Sequence, residues 1–290
     1  IKEAARTYWI DYCDSLDSAT KLGEVWKESK KMNNITDNSN YIPNLKTSNN
    51  TTTSTTQEKT ETLADQFEFN SSNQNYSNTF KNNITKHLSN PTFATDNSTH
   101  EQQTNELNHP ITLTELQTAI ATSEQKSSPG PDTITYSMLK NLSHIALVNI
   151  LDLYNNIFNT GEIPDTWKHS IITPIPKPEK DKTIPASYRP ISQTNTLCKI
   201  LERIITNRIQ YFLETNNKFN KYQTGFRKGL STTDQLIKLQ TEITKALRHK
   251  GLTIAVFLDF EKAYDMVWRP GLLHKCNKLG LNGKIFNYIK

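Results

Sequence analysis

The 290-residue sequence has only three cysteines, Cys13, Cys198 and Cys276, too far apart for a CxxC pair, so neither a zinc knuckle nor a disulfide framework is indicated. Long apolar runs are missing too: no stretch approaches the roughly 18 consecutive apolar residues of a membrane helix. The opening residues, "IKEAARTYWIDYC", lack the apolar centre of a secretory signal and the initiator Met, as expected for a piece of a longer, intracellular and reduced polypeptide. Apolar residues make up 34% of the chain, too few for all of it to be packed.

Negative charge is scarce where it would balance the C-terminal part. Residues 1–120 carry 10 Lys+Arg against 15 Asp+Glu, and residues 121–290 carry 24 against 14. The basic part suggests an anionic partner such as a nucleic acid, although scattered solvated lysines have the same signature.

Composition divides the chain further. Residues 1–32 place Trp9, Tyr12, Leu16, Val25 and Trp26 among charges, the pattern of an amphipathic helical segment. Residues 33–110 turn to Asn, Ser and Thr, with "TSNNTTTSTTQ" as the extreme, and are expected to form a largely disordered linker with a short helix around "ETLADQFEF". Order is expected to resume at about 111. Thr112 and Glu115 have capping-box spacing, and Leu113, Leu116 and Ile120 share a helical face. Leu147, Ile150, Leu151, Tyr154 and Phe158 repeat at helical spacing up to Gly161, which is placed to end the helix. "WKHSIITPIP", 167–176, reads as a short strand entering a turn. Two more helices are expected over 194–213, with Leu197, Leu201, Ile204 and Ile205 on one stripe, and over 231–247, opened by Ser231 and Asp234. "TIAVFLD", 253–259, is apolar without alternation, which predicts a strand buried on both faces. The order of elements indicates an α/β or α+β domain.

At the end of that predicted strand stands Asp259. A carboxylate held at the mouth of a core is a good address for a hard cation such as Mg²⁺, which takes oxygen ligands. The same residue could instead cap a helix beginning near Glu261.

Read in order, "SSPGPDTIT", "IPDTWKHSIITPIPK", "SYRPIS" with "KILERIITNRI", "QTGFRKGLSTTDQL" and "AVFLDFEKAYDMV" resemble the reverse transcriptases of non-LTR retrotransposons, most closely the jockey-like elements. The resemblance covers residues 111–290. It implies an α+β fold, the fingers and partial palm of a right-hand polymerase, preceded by the helical segment and polar linker. It also implies RNA-directed DNA polymerisation by two Mg²⁺ ions, with template RNA, primer DNA and dNTPs as partners, action in the nucleus, and an endonuclease upstream in the same polypeptide.

Residue by residue, the resemblance makes Asp259 the first metal ligand, with the backbone carbonyl of Phe260 completing that ion's shell. Tyr264 matches the aromatic gate under the incoming sugar, where a ring excludes a 2′-hydroxyl, and Asp265 is expected to make a structural hydrogen bond. Lys177 and Arg189 match residues that meet the triphosphate, consistent with the affinity of ammonium and guanidinium for phosphate oxygens. Gln223, Gly225 and Arg227 lie in a string that runs near the template. Thr224 and Leu230 depart from the usual residue types there.

The family's second acidic motif contains an Asp-Asp pair, and no such doublet occurs in this sequence. The covered part is therefore expected to be a fragment that does not catalyse alone. A non-catalytic nucleic-acid-binding remnant and a host interaction protein are the other readings.

Overall fold

The structure, a computed structural model, describes residues 10, 42–47, 49, 51–88, 106–124 and 127–290. The helical segment expected over 1–32 lies outside these residues, apart from Ile10.

Within the expected polar linker, the helix anticipated around 61–69 forms and is longer than its string, and a second helix follows it. Helix α1 (Thr56–Ser71) opens with a full capping box in which Thr55 and Glu58 satisfy each other's backbone, and α2 (Asn78–Leu88) follows a short 3₁₀ turn. The averaged composition hid a few apolar residues that are enough to dock them. Leu63 of α1 packs with Leu45 and Tyr188, flanked by Ile42 and Phe67. From α2, Phe80 contacts Tyr76 (ring centroids 5.0 Å apart) and the edge of Trp268 (5.9 Å).

The main core is helical. Helices α3 (Leu113–Ala121), α4 (Tyr136–Lys140) and α5 (His144–Thr160) lead into a two-stranded antiparallel ladder of β1 (Ile171–Pro176) and β2 (Tyr188–Gln193). Helices α6 (Thr196–Thr215), α7 (Thr232–Arg248), α8 (Arg269–Lys278) and α9 (Gly283–Ile289) complete the described chain. It is a mixed helix and strand fold with a small sheet, and no described helix is long and apolar enough to cross a membrane. Leu116 and Ile120 of α3, Tyr154, Ile157 and Phe158 of α5, and Leu201, Ile204 and Ile205 of α6 share one buried cluster, so the predicted helical stripes do face one another. The capping boxes at Thr112 and Ser231 form, and α5 ends on Gly161 in the left-handed region at φ +74°.

Three of the quoted strings knit together at the start of α6. The buried Asn195 donates to the carbonyl of Thr166 (3.0 Å) and accepts from the backbone N–H of Asp132 (3.4 Å). Tyr154 donates to the carbonyl of Leu197 at 2.7 Å and meets Trp167 edge-on at 6.2 Å. Gly130 is needed here, because a Cβ on it would sit 2.6 Å from backbone atoms of Thr194 and Asn195. Trp167 consequently closes a 3₁₀ turn, and the strand begins at Ile171 rather than at 167. Its partner β2 was not foreseen from the sequence. Pro174 lies opposite Pro190, which a two-stranded ladder tolerates because each strand has a free edge for the residue that cannot donate.

The doubly buried strand expected over 253–259 does not form. Residues 251–260 join no ladder, and Leu252 is 95% exposed and Leu258 84%. A buried strand needs a partner along its edge and cover on both faces. Among the described residues the only sheet is β1 with β2, and Leu236, Ile237 and Leu247 of α7 are exposed as well, so neither requirement is met.

Candidate functional site

Asp259 stands at the outer end of this apolar run, exposed, and it caps no helix: residues 261–266 form turns and the next helix begins only at Arg269. Phe260 follows it, 80% exposed. Among the described residues no three His, Cys, Asp or Glu side chains are grouped to hold a metal ion. Asp265 makes no structural hydrogen bond among the described residues, contrary to expectation. It lines a cleft of about 860 Å³ with Tyr264, Trp268 and Arg269 on one side and Tyr76, Lys81 and Ile84 on the other. The hydroxyl of Tyr76 reaches the carbonyl of Met266 at 3.5 Å, so the helices of the polar tract form a wall of this cleft.

Lys177 and Arg189 both belong to the hairpin, Arg189 on β2 and Lys177 just past the end of β1. Ile175 is opposite Arg189, and Lys177, two residues on, falls on the same face of the ladder. The turn between the strands is held by the bond from the Lys177 N–H to the Ser187 carbonyl (2.8 Å), and the Lys177 ammonium donates to the Ala186 carbonyl (2.8 Å). Arg189 is exposed, and its guanidinium has no hydrogen-bond or ion-pair partner among the described residues. No hydrogen bond or ion pair links either residue to Asp259.

Gln223, Gly225 and Arg227 lie in the loop from α6 to α7. Gln223 donates to the Gly225 carbonyl at 3.3 Å, and a Cβ on Gly225 would meet nothing within 4 Å, so packing does not require glycine there. Arg227 is differently placed from an open phosphate contact. Its guanidinium forms a fork to Glu214 (2.8 and 2.6 Å), donates to the carbonyls of Asn220 (3.3 Å) and Gln223 (3.0 Å), and lies over the Phe219 ring. The hydrogen bond between the two side chains holds the Glu214 carboxyl below its ordinary range and raises Arg227. Arg227 therefore holds its own loop in shape.

Phe226, the residue between Gly225 and Arg227, was not singled out from the sequence. Its ring meets Tyr264 edge-on, centroids 6.2 Å apart at 87°, which brings the α6–α7 loop to the segment that follows Asp259. An aromatic flanked by basic residues, on a loop without an apolar face, was the available signal.

Residues 175–290 match the reverse transcriptase (RNA-dependent DNA polymerase) family. Among curated proteins, the chain is 38% identical over 170 residues to the probable RNA-directed DNA polymerase from transposon BS of Drosophila melanogaster, covering 59% of this chain and 19% of that protein. It is 34% identical over 169 residues to the RNA-directed DNA polymerase from mobile element jockey of the same species, covering 58% and 18%. The corresponding jockey protein of Drosophila funebris is 35% identical over 181 residues, covering 62% and 20%. The chain thus spans about a fifth of the length of the curated relatives it matches.

Proposed function

We propose, because residues 175–290 match the reverse transcriptase family, that this chain is a segment of a non-LTR retrotransposon RNA-directed DNA polymerase, comprising its fingers and the start of its palm. The observation that carries this reading is the agreement between the matched family and the way the quoted strings interlock: the 128–135 loop, the Trp167 turn and the start of α6 meet on Asn195, with the β1–β2 hairpin between them. Template RNA, primer DNA and dNTPs are the proposed substrates of the whole polymerase.

In this reading Arg189, with its fork free and exposed on β2, binds triphosphate oxygens of the incoming nucleotide. Lys177 assists from the same face, keeping donors to spare after its bond to Ala186. Tyr264 flanks the sugar and excludes a 2′-hydroxyl. Gln223 and Gly225 run beside the template, while Arg227 holds the loop that carries them.

The fit of Mg²⁺ to these residues is incomplete. A nearly octahedral cation would find the Asp259 carboxylate and the Phe260 carbonyl, and no group of three His, Cys, Asp or Glu side chains gathers to hold it among the described residues. When bound in a complete site, a metal pair supplies activation of the primer hydroxyl and charge stabilisation on the departing pyrophosphate. The single acidic ligand favours a second reading for these 290 residues by themselves, nucleic-acid binding without chemistry.

Primer extension on an RNA template with Mg²⁺ and dNTPs tests both. A polypeptide that continues past Lys290 through an Asp-Asp motif should extend the primer and lose that activity in Asp259→Ala, whereas the 290-residue chain should not extend it. Full activity in Asp259→Ala of the longer polypeptide would overturn the assignment.

A further inference from the structure

The loop between α6 and α7 is anchored from both sides. Gln210 of α6 donates to the Phe226 carbonyl at 3.0 Å, and Arg227 grips Glu214 of the same helix. Gln235 of α7 donates to the Tyr222 carbonyl (2.7 Å) and the Thr224 hydroxyl (3.2 Å), and Thr224 is buried. A loop so fastened could have tucked Phe226 away, as it does Phe219 beneath the Arg227 guanidinium. Instead Phe226 takes the left-handed backbone conformation, at φ +60°, which is an outlier for a bulky residue, and its side chain is 88% exposed. The space beside it at Gly225 is open, and the partner ring of Tyr264 is itself 74% exposed. The two rings stand edge to face, so they present an aromatic corner to solvent rather than a closed core.

On the loop side of the corner the charge is of one sign, while Asp259, Glu261 and Asp265 lie in the segment that carries Tyr264. Residues 217–230 contain Lys218, Lys221, Arg227 and Lys228 and no carboxylate; Arg227 is committed to Glu214, which leaves three lysines. Flat apolar faces set among cations suit a ligand with alternating aromatic rings and phosphates, which is a single-stranded nucleic acid.

We propose that Phe226 is a stacking seat for an unpaired base of single-stranded RNA, that the strained backbone at 226 aims the ring, and that Arg227 is a positioning residue for it. The proposal rests on the polymerase reading only for the identity of the strand as template.

The test is binding of a short single-stranded RNA carrying 2-aminopurine to the 290-residue chain, followed by fluorescence at several salt concentrations. Phe226→Asn removes the ring yet keeps a residue that tolerates the left-handed conformation, and its exposed position spares the fold, which an unchanged melting curve verifies. It should weaken binding about ten-fold, within the range for loss of one stacked base, and relieve the quenching of 2-aminopurine. The salt dependence should stay as in the parent, since stacking releases no counterions. Phe226→Trp should restore both affinity and quenching. Salt-dependent binding that Phe226→Asn leaves unchanged would overturn the stacking seat while the polymerase reading stands. Absence of RNA binding by the parent chain at low salt would overturn both.

Discussion

Replacing Arg208 by alanine should be among the most damaging single changes in the described chain. The side chain, 11% exposed, forks to Glu115 at 2.6 and 2.8 Å and donates to the carbonyls of Leu107 (3.2 Å), His109 (2.7 Å) and Pro110 (3.0 Å). It also lies over the Phe158 ring, 5.5 Å from its centroid. One residue of α6 thus fastens the whole entry to α3. Removing one member of a buried ion pair costs about 3–5 kcal/mol. Glu115 is 31% exposed, so water takes over part of the lost interaction and the lower end, about 3 kcal/mol, applies. For a body of this size that is a fall in Tm of about 6–12 °C, measurable by circular dichroism. The pH dependence supplies an independent check. Burial pushes the Glu115 carboxyl up, but the bonds from Arg208 and Thr112 outweigh it, and the native value lies below the ordinary 4.5. The unfolded state therefore binds the proton more readily, so the pair's stabilisation is fully present above about pH 4.5 and is lost as pH falls through the native value. The stability gap between parent and Arg208→Ala should be constant from pH 7 to 5 and shrink below that. A Tm change under about 2 °C at pH 7, or a gap that widens in acid, would refute the reasoning.

In a complete polymerase carrying this segment, Arg189→Ala should raise the KM for dNTPs with a smaller effect on kcat, because a phosphate contact made before chemistry is mostly ground-state binding; steady-state primer extension reads the split. Tyr264→Val should raise the ratio of ribonucleotide to deoxynucleotide incorporation without abolishing extension, and a constant ratio would move the gate elsewhere. Gly130→Ala should lower stability by about 1–3 kcal/mol in urea unfolding, since the new Cβ meets backbone of Thr194 and Asn195 that cannot rotate aside.

The helices were legible because their signals are local. Thr112 with Glu115 and Ser231 with Asp234 form capping boxes within four residues, and the stripes through Tyr154, Phe158, Leu201 and Ile204 repeat at helical spacing. Features that depend on distant partners were not. Leu63 and Phe80 order a stretch that its average composition marked as linker, because a few well-placed contacts decide docking. The run 253–259 has the residues of a central strand, yet hydrophobicity records only the need for neighbours. At the candidate site, the strings nominated Arg189, Asp259 and Tyr264, all of which are exposed. That Arg227 faces inward to Glu214 while Phe226 faces outward could not be read from "GFR", since alternate orientation in a loop follows from anchors at Gln210 and Gln235.

The uncovered run between Lys250 and Asp259 also governs how this chain behaves in a test tube. "LTIAVFL", residues 252–258, has no charge, no proline and strong β preference, and its backbone is unpaired. Segments of this kind stack in register with copies of themselves into steric zippers. The net charge of +5 opposes such association, and added salt screens that repulsion. Solutions of the chain will therefore cloud as concentration and ionic strength rise together, and a lysine at Val256 would act as a gatekeeper that keeps it dispersed.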